Sequence, residues 1–281
     1  MKFHFFTLGG KQFWEDVFYY QKWRIQRHYR TRKYRLLDKW DICRATGTFE
    51  ECRKAFVQFI EVFEIPRQSG ELVILLHGLG ENKSIFKPLW KVLEEKGYHV
   101  AAINYPSTRK SIKAHMDQLD FFLTHTEDVS EVSFITKGTG CLLLRYLLNA
   151  SFAWNKKFTI GKIININPTN LGSDMCAALA HMKIFNWIFG PSLKECAPGN
   201  AHEIPKLPKG IPLGLIFCET YRDKILRPFI KRFEGIRVPG DLKEEDFSQE
   251  KVHIKNSQLN VFDNKEVVQH CVQFLHKGSF K

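Results

Sequence analysis

From residue 70 onward the chain alternates short apolar runs with longer stretches of helical periodicity. The apolar, β-rich runs fall at 72–76, 99–103, 132–135, 163–166 and 211–217. Between them, apolar positions recur at helical spacing over 84–96, 111–125, 140–150 and 173–182. Strands that are apolar throughout and separated by helices predict an α/β fold. Its centre is a mostly parallel sheet with helices on both faces. Ligands of such sheets sit beyond the carboxyl ends of the strands. This directs attention to the loops 77–82, 105–110, 136–140 and 167–173, and to the segment after Phe217.

Upstream the pattern differs. Residues 1–48 read as a basic, aromatic N-terminal extension, and 49–281 as the α/β domain. In the extension Trp14, Phe18, Tyr20 and Trp23 are followed by Arg24, Arg27, Arg30 and Arg35, with Tyr29 and Tyr34 between. Aromatics interleaved with arginine suit a nucleic-acid strand or a membrane interface. No recognised nucleic-acid motif accompanies them, so an extension packed on the domain, aromatics inward and arginines wet, is the preferred reading. Thr48 and Glu51 have capping-box spacing, and Phe49, Phe56, Phe59, Ile60 and Phe63 form one helical face behind them. Residues 183–210, with Trp187, Phe189 and four prolines, predict a lid-like excursion.

Composition narrows the picture. At 281 residues the chain suits one large domain with ample core. Its formal charge of +12 favours anionic surfaces or acidic partners, with residues 22–35 as the candidate contact and nucleic acid disfavoured. The seven cysteines are scattered and form no Cys-x-x-Cys pair, which predicts reduced thiols and neither a disulfide framework nor a zinc site. The histidines show no ligand spacing, so no metal or cofactor is expected. No apolar run reaches the roughly 18 residues of a membrane span, and residues 3–8 are too short for a signal-peptide core. A cytoplasmic protein, at most peripheral at a membrane, is the expectation.

The candidate chemistry centres on residues 131–145, a strand, a turn of small residues and a helix. Thr136-Lys137-Gly138-Thr139-Gly140 keeps the frame of a Gly-x-Ser-x-Gly nucleophile elbow, but glycine stands where the serine belongs. About 60 residues earlier, His77-Gly78-Leu79-Gly80 directly follows the first strand of the alternating region. A nucleotide-loop reading of Lys137–Gly140 fails on spacing and on strand order.

These residues carry a resemblance. Together with Leu75-Leu76, Asn104-Tyr105-Pro106-Ser107-Thr108, Ile112, His115, Gln118 and Leu119, they make the chain resemble bacterial lipase/esterase-like α/β-hydrolases. The likeness continues through Val132-Ser133-Phe134, Arg145, Pro168–Ser173 and the ending Phe274-Leu275, Gly278 and Phe280. It implies that Gly138 occupies the nucleophile position, and that the amides of Leu79 and Thr139 form the oxyanion hole. It also implies, counting back from Phe280, that Gln258 stands at the histidine position, with His253 the alternative base if the loop is re-registered. Asp223 is the candidate acid, and Glu234-Gly235 a second.

Glycine has no atom to acylate, and glutamine takes no proton near neutral pH. Loss of a triad serine or histidine removes about a millionfold in rate, roughly 8 kcal/mol of barrier. Cys141 reads as helix–sheet packing rather than a substitute nucleophile, and Ser173 and Ser111 as helix caps. The sequence therefore predicts a non-catalytic relative, a pseudoenzyme, that binds a small apolar ligand, a partner protein or an anionic surface. The alternative is a carboxylic-ester hydrolase with relocated residues, such as Cys141 or a serine with His253 and Asp223.

Overall fold

The computed structural model describes residues 11–169, 174–197, 205–218, 250–255 and 260–281. The N-terminal region forms an antiparallel meander of Trp14–Tyr20 (β1), Trp23–His28 (β2), Tyr34–Leu37 (β3) and Cys43–Gly47 (β4). The first hairpin turns through Gln21 and Lys22, both at positive φ (47° and 69°), between the paired residues Tyr20 and Trp23. Two left-handed residues let a two-residue turn follow the twist of the strands. Val17, Phe18, Tyr20, Trp23, Ile25 and Leu36 pack against helix Phe49–Val62 (α1) through Phe49, Cys52 and Phe56. Its capping box is present: Thr48 Oγ1 accepts from Glu51 N at 3.2 Å, and Glu51 Oε2 accepts from Thr48 N at 2.7 Å. Phe59 and Ile60 are half-buried on the same face, whereas Phe63 is largely exposed at the C-cap.

Phe18, Tyr19, Tyr20 and Trp23 point inward as expected, whereas Phe13 and Trp40 are exposed, and the arginines do not all lie in water. Arg24 and Arg35 are buried. Arg35 donates to Gln26 Oε1 at 3.0 and 2.7 Å and stacks 3.8 Å from the Trp14 ring. Arg24 pairs with Asp41 and lies 3.7 Å from Asp16, while Arg27 Nε donates to Glu15 at 2.7 Å. The acidic partners come from other strands and turns of the meander, so the leader satisfies much of its own charge. Arg30, Arg32 and Lys33 remain exposed.

The second sheet holds Glu71–Leu76 (β5), His99–Ile103 (β6), Glu131–Lys137 (β7), Thr159–Ile166 (β8), Leu213–Cys218 (β9) and Glu250–Ile254 (β10). Their order is β10-β9-β8-β7-β5-β6, and every neighbouring pair is parallel. Both faces are covered, as continuous apolar strands require. Leu72, Ile74 and Leu76 face a core shared with Ile112–Thr124 (α3) and Thr139–Asn149 (α4). Val73 and Leu75 face Lys87–Glu95 (α2) and, at the end of the chain, helix Lys265–Lys277. Between β8 and β9 lie Asp174–Ala180 (α5), Lys183–Phe189 (α6) and Pro191–Glu195 (α7), which makes the C-terminal helix α8. No helix among the described residues is long and apolar enough to cross a membrane. The seven cysteines are buried, and none is joined in a disulfide.

The two sheets meet at Asp16. Its amide donates to Asn104 O at 2.9 Å and its carboxylate accepts from Asn104 N at 2.7 Å and from Gln26 Nε2 at 2.7 Å. Gln118 Nε2 on α3 reaches Asp16 O and Asn104 O at 2.9 and 3.0 Å. Lys83 Nζ is buried at this junction without a hydrogen bond, 3.9 Å from Asp16 Oδ2. Desolvation, with Arg24 and Arg35 nearby, pushes its pKa down to about 7 against the pull of Asp16. A cation held so poorly destabilises the fold at neutral pH, and the penalty fades as pH rises from 7 toward the ordinary lysine value. Lys83→Met is therefore expected to stabilise the protein by about 1–3 kcal/mol in urea unfolding at pH 7. An unchanged or lowered midpoint would show that the ammonium is well paired.

Candidate functional site

The elbow between β7 and α4 is built from backbone. Gly138 adopts φ 54°, ψ −121°, and its amide donates to Ile166 O at 3.0 Å on the neighbouring strand. Such a conformation is nearly closed to residues with a side chain unless the surroundings enforce it. Two residues on, a Cβ at Gly140 would lie 2.7 Å from Leu76 O and 2.9 Å from His77 O, so glycine is what lets α4 start against the end of β5. At Gly138, by contrast, a Cβ would meet only Gly78 Cα among the described residues, at 3.9 Å. Those residues leave room for a side chain at the apex, which carries none.

Across from the elbow runs the turn after β5. His77 is fully buried, stacked on Tyr105 (centroids 3.9 Å apart, planes 8° apart), and Tyr105 Oη donates to the His77 carbonyl. Its Nδ1 lies 2.9 Å from Gly78 O, which fits an Nδ1–H donor. Burial drives the His77 pKa down to about 4, so the ring is neutral at pH 7. Gly78 N donates to Glu81 Oε2 at 2.9 Å, and Glu81 pairs with Lys137, the residue before the apex. Burial opposes the charge on Glu81, but Lys137 and the Gly78 amide outweigh it and hold the carboxyl below its usual range.

The amides of Leu79 and Thr139 donate no hydrogen bond among the described residues. Both residues line an open-sided cleft of about 10 Å³ with Tyr105, Ser107, Ile112, His115, Leu143, Ser192 and Cys196. That is room for about one water molecule. Any larger occupant requires the cover to shift. The cover is α6 and α7: Ser192 Oγ donates to Lys110 O at 2.6 Å, and Glu195 accepts from Ile112 N at 2.5 Å. Phe189 lies against Gly80 on the turn below.

His115, on α3, is the polar side chain of the cleft that sequence reasoning left without a role. It is buried, 5.0 Å from the Tyr105 ring, and neither nitrogen has a hydrogen bond of ordinary geometry. Burial, with His77 and Lys110 adding to it, lowers its pKa to about 3. The Ser107 hydroxyl accepts from Gly80 N at 3.1 Å and steadies the turn. Only the recurrence of His115 among the family-like residues of α3 signalled it in the sequence.

The remaining candidates among the described residues, Cys141 and His253, form no pair. Cys141 is fully buried beside Thr136 Oγ1 (3.0 Å), and burial pushes its thiol up to about 12, far from a thiolate. His253 is exposed on β10, stacked on Phe217 at 5.0 Å, and makes no hydrogen bond with Cys141. Asp223, Glu234, Gln258 and Ser173 lie outside the described residues. No cluster of histidine, cysteine or carboxylate suited to a metal occurs among the described residues.

No family model matches the chain, and no curated protein does. Among solved structures, the lipase BlEst2 of Bacillus licheniformis in its mature form is 13% identical, with a TM-score of 0.52 over 75% of this chain and 93% of that one. A monoacylglycerol lipase of Paleococcus ferrophilus (16% identity, TM-score 0.48, 74% and 95% covered) and a thermophilic esterase from Thermogutta terrifontis (12%, 0.45, 75% and 91%) are also similar. Identities this low speak for fold alone. The chain has an α/β-hydrolase-like fold, a mostly parallel sheet of six strands with helices on both faces.

Proposed function

We propose that this protein is a non-catalytic relative of α/β-hydrolase lipases and esterases that binds a small apolar molecule ending in a carbonyl or carboxylate. The observation that carries the reading is Gly138: an elbow apex, open to a side chain among the described residues, that bears only hydrogen. An acyl-enzyme cannot form on it. What remains is a recognition surface. The amides of Leu79 and Thr139 offer donors to one oxygen, and the N-terminus of α4 favours a negative charge there. Tyr105, Ile112 and Leu143 supply apolar walls.

A hydrolase with relocated residues has one observation in its favour, the proximity of His115 to the hydroxyls of Ser107, Thr139 and Ser192 around one cleft. A base with a pKa of about 3 takes a proton too weakly to activate a hydroxyl at pH 7, and this weighs against it. The test is labelling with a serine-reactive fluorophosphonate, alongside assays on short p-nitrophenyl esters. No labelling above a heat-denatured control and no turnover are expected. Turnover abolished by His115→Ala or by a hydroxyl substitution in the cleft would overturn the reading.

A further inference from the structure

Away from the cleft, the outer face of α6 presents an apolar surface that the described residues leave uncovered. Ile184, Trp187 and Ile188 follow i, i+3, i+4 spacing and are 61%, 79% and 40% exposed, with Met182 beside them at 46%. Phe185 and Phe189, on the opposite face, are half-buried against the core, so the helix is anchored by one side and shows the other. No residue of α6 is fully buried. Side chains this large and this exposed in one cluster mark an interaction surface.

The surrounding charge selects the partner. Between residues 181 and 197 the charged residues are Lys183, Lys194 and Glu195. Both lysines are exposed, whereas the Glu195 carboxylate is occupied by the Ile112 amide. The exposed Arg109 adjoins Gly190, at the junction of α6 and α7. Aliphatic side chains and a tryptophan on one helical face, rimmed by cations on a chain of net charge +12, match the chemistry of an anionic bilayer surface. A second copy of the chain fits less well, because apposing two such faces would bring their lysines together. We propose that α6 docks the protein peripherally onto membranes containing anionic phospholipid. The leader is a poorer candidate, since Arg24, Arg27 and Arg35 are engaged within it.

The full-length protein should float with vesicles of phosphatidylcholine mixed with phosphatidylglycerol, and more weakly with phosphatidylcholine alone. Ile184→Ser/Trp187→Ser/Ile188→Ser should lower partitioning more than tenfold on both. Lys183→Gln and Lys194→Gln should each lower it about fivefold on the anionic vesicles only. All five side chains are exposed, and an unchanged circular dichroism spectrum confirms folding; Trp187→Ser alone serves if the triple variant fails. Three results would overturn the proposal: no flotation of the parent protein, flotation unaffected by the α6 variants, or a parent dimer that the triple variant makes monomeric. A loss as large from Arg30→Gln/Arg32→Gln/Lys33→Gln as from the α6 variants would likewise move the contact to the leader and overturn it.

Discussion

Between pH 6.5 and about 4 the folded protein is expected to lose several kcal/mol of stability. The cause is a pair of buried imidazoles, His77 under the β5 turn and His115 on α3, whose pKa values burial lowers to about 4 and about 3. In the unfolded chain both titrate near 6.5. Below that pH the unfolded state binds more protons than the folded one, so stability falls as pH falls, until the folded pKa values are reached. At about 1.4 kcal/mol per pKa unit, His77 alone accounts for about 3 kcal/mol, and His115 for a similar amount. Such losses are large against the 5–15 kcal/mol that holds a typical domain together. Glu81 works in a lower window, because its depressed pKa confines its loss to more acid conditions. Urea unfolding at pH 7.5, 6 and 5 would show the midpoint falling steadily, and His115→Gln should flatten that slope. A midpoint constant from pH 7.5 to 5 would mean that the imidazoles are solvated or paired in solution.

The same two histidines show where sequence reasoning stops. Strands β5, β7 and β8 were readable because burial on both faces leaves an apolar run that no local feature contradicts. Strand β10, Glu-Lys-Val-His-Ile, alternates exposed and covered positions and gave only a faint signal at Val252–Ile254. The N-terminal meander escaped as a sheet because its first turn, Gln21-Lys22, has none of the Asn-Gly or Asp-Gly chemistry that announces a two-residue hairpin. Arg24 and Arg35 misled for a different reason. Arginine is exposed by default, and their burial depends on Asp16, Asp41 and Gln26 being brought round by other parts of the meander. The turn at Gly138 is local, and the strand and helix that flank it were readable within residues 131–145. The cleft is not local: it requires α3, the β5 turn, α4 and α7 to meet, and nothing in the spacing of His115 reports that.

Two glycines two residues apart are expected to resist substitution for different reasons, one for want of space and the other through backbone strain alone. Gly140→Ala should cost about 3 kcal/mol, because its Cβ would press on the carbonyl oxygens of Leu76 and His77, backbone that the sheet holds fixed. Gly138→Ser meets no such wall. Its penalty is the strain of holding an L-residue at φ 54°, ψ −121°, about 1–3 kcal/mol, and the variant should fold. No steric wall among the described residues then explains the absence of a hydroxyl, and the introduced serine reports on the residues around it. With His115 too weak a base and His253 stacked on Phe217, the variant is expected to turn over p-nitrophenyl acetate no faster than the parent protein. Turnover that appears in Gly138→Ser and vanishes again when His253→Ala is added would reveal a base already in place, and a site one side chain short of an esterase rather than one adapted to binding.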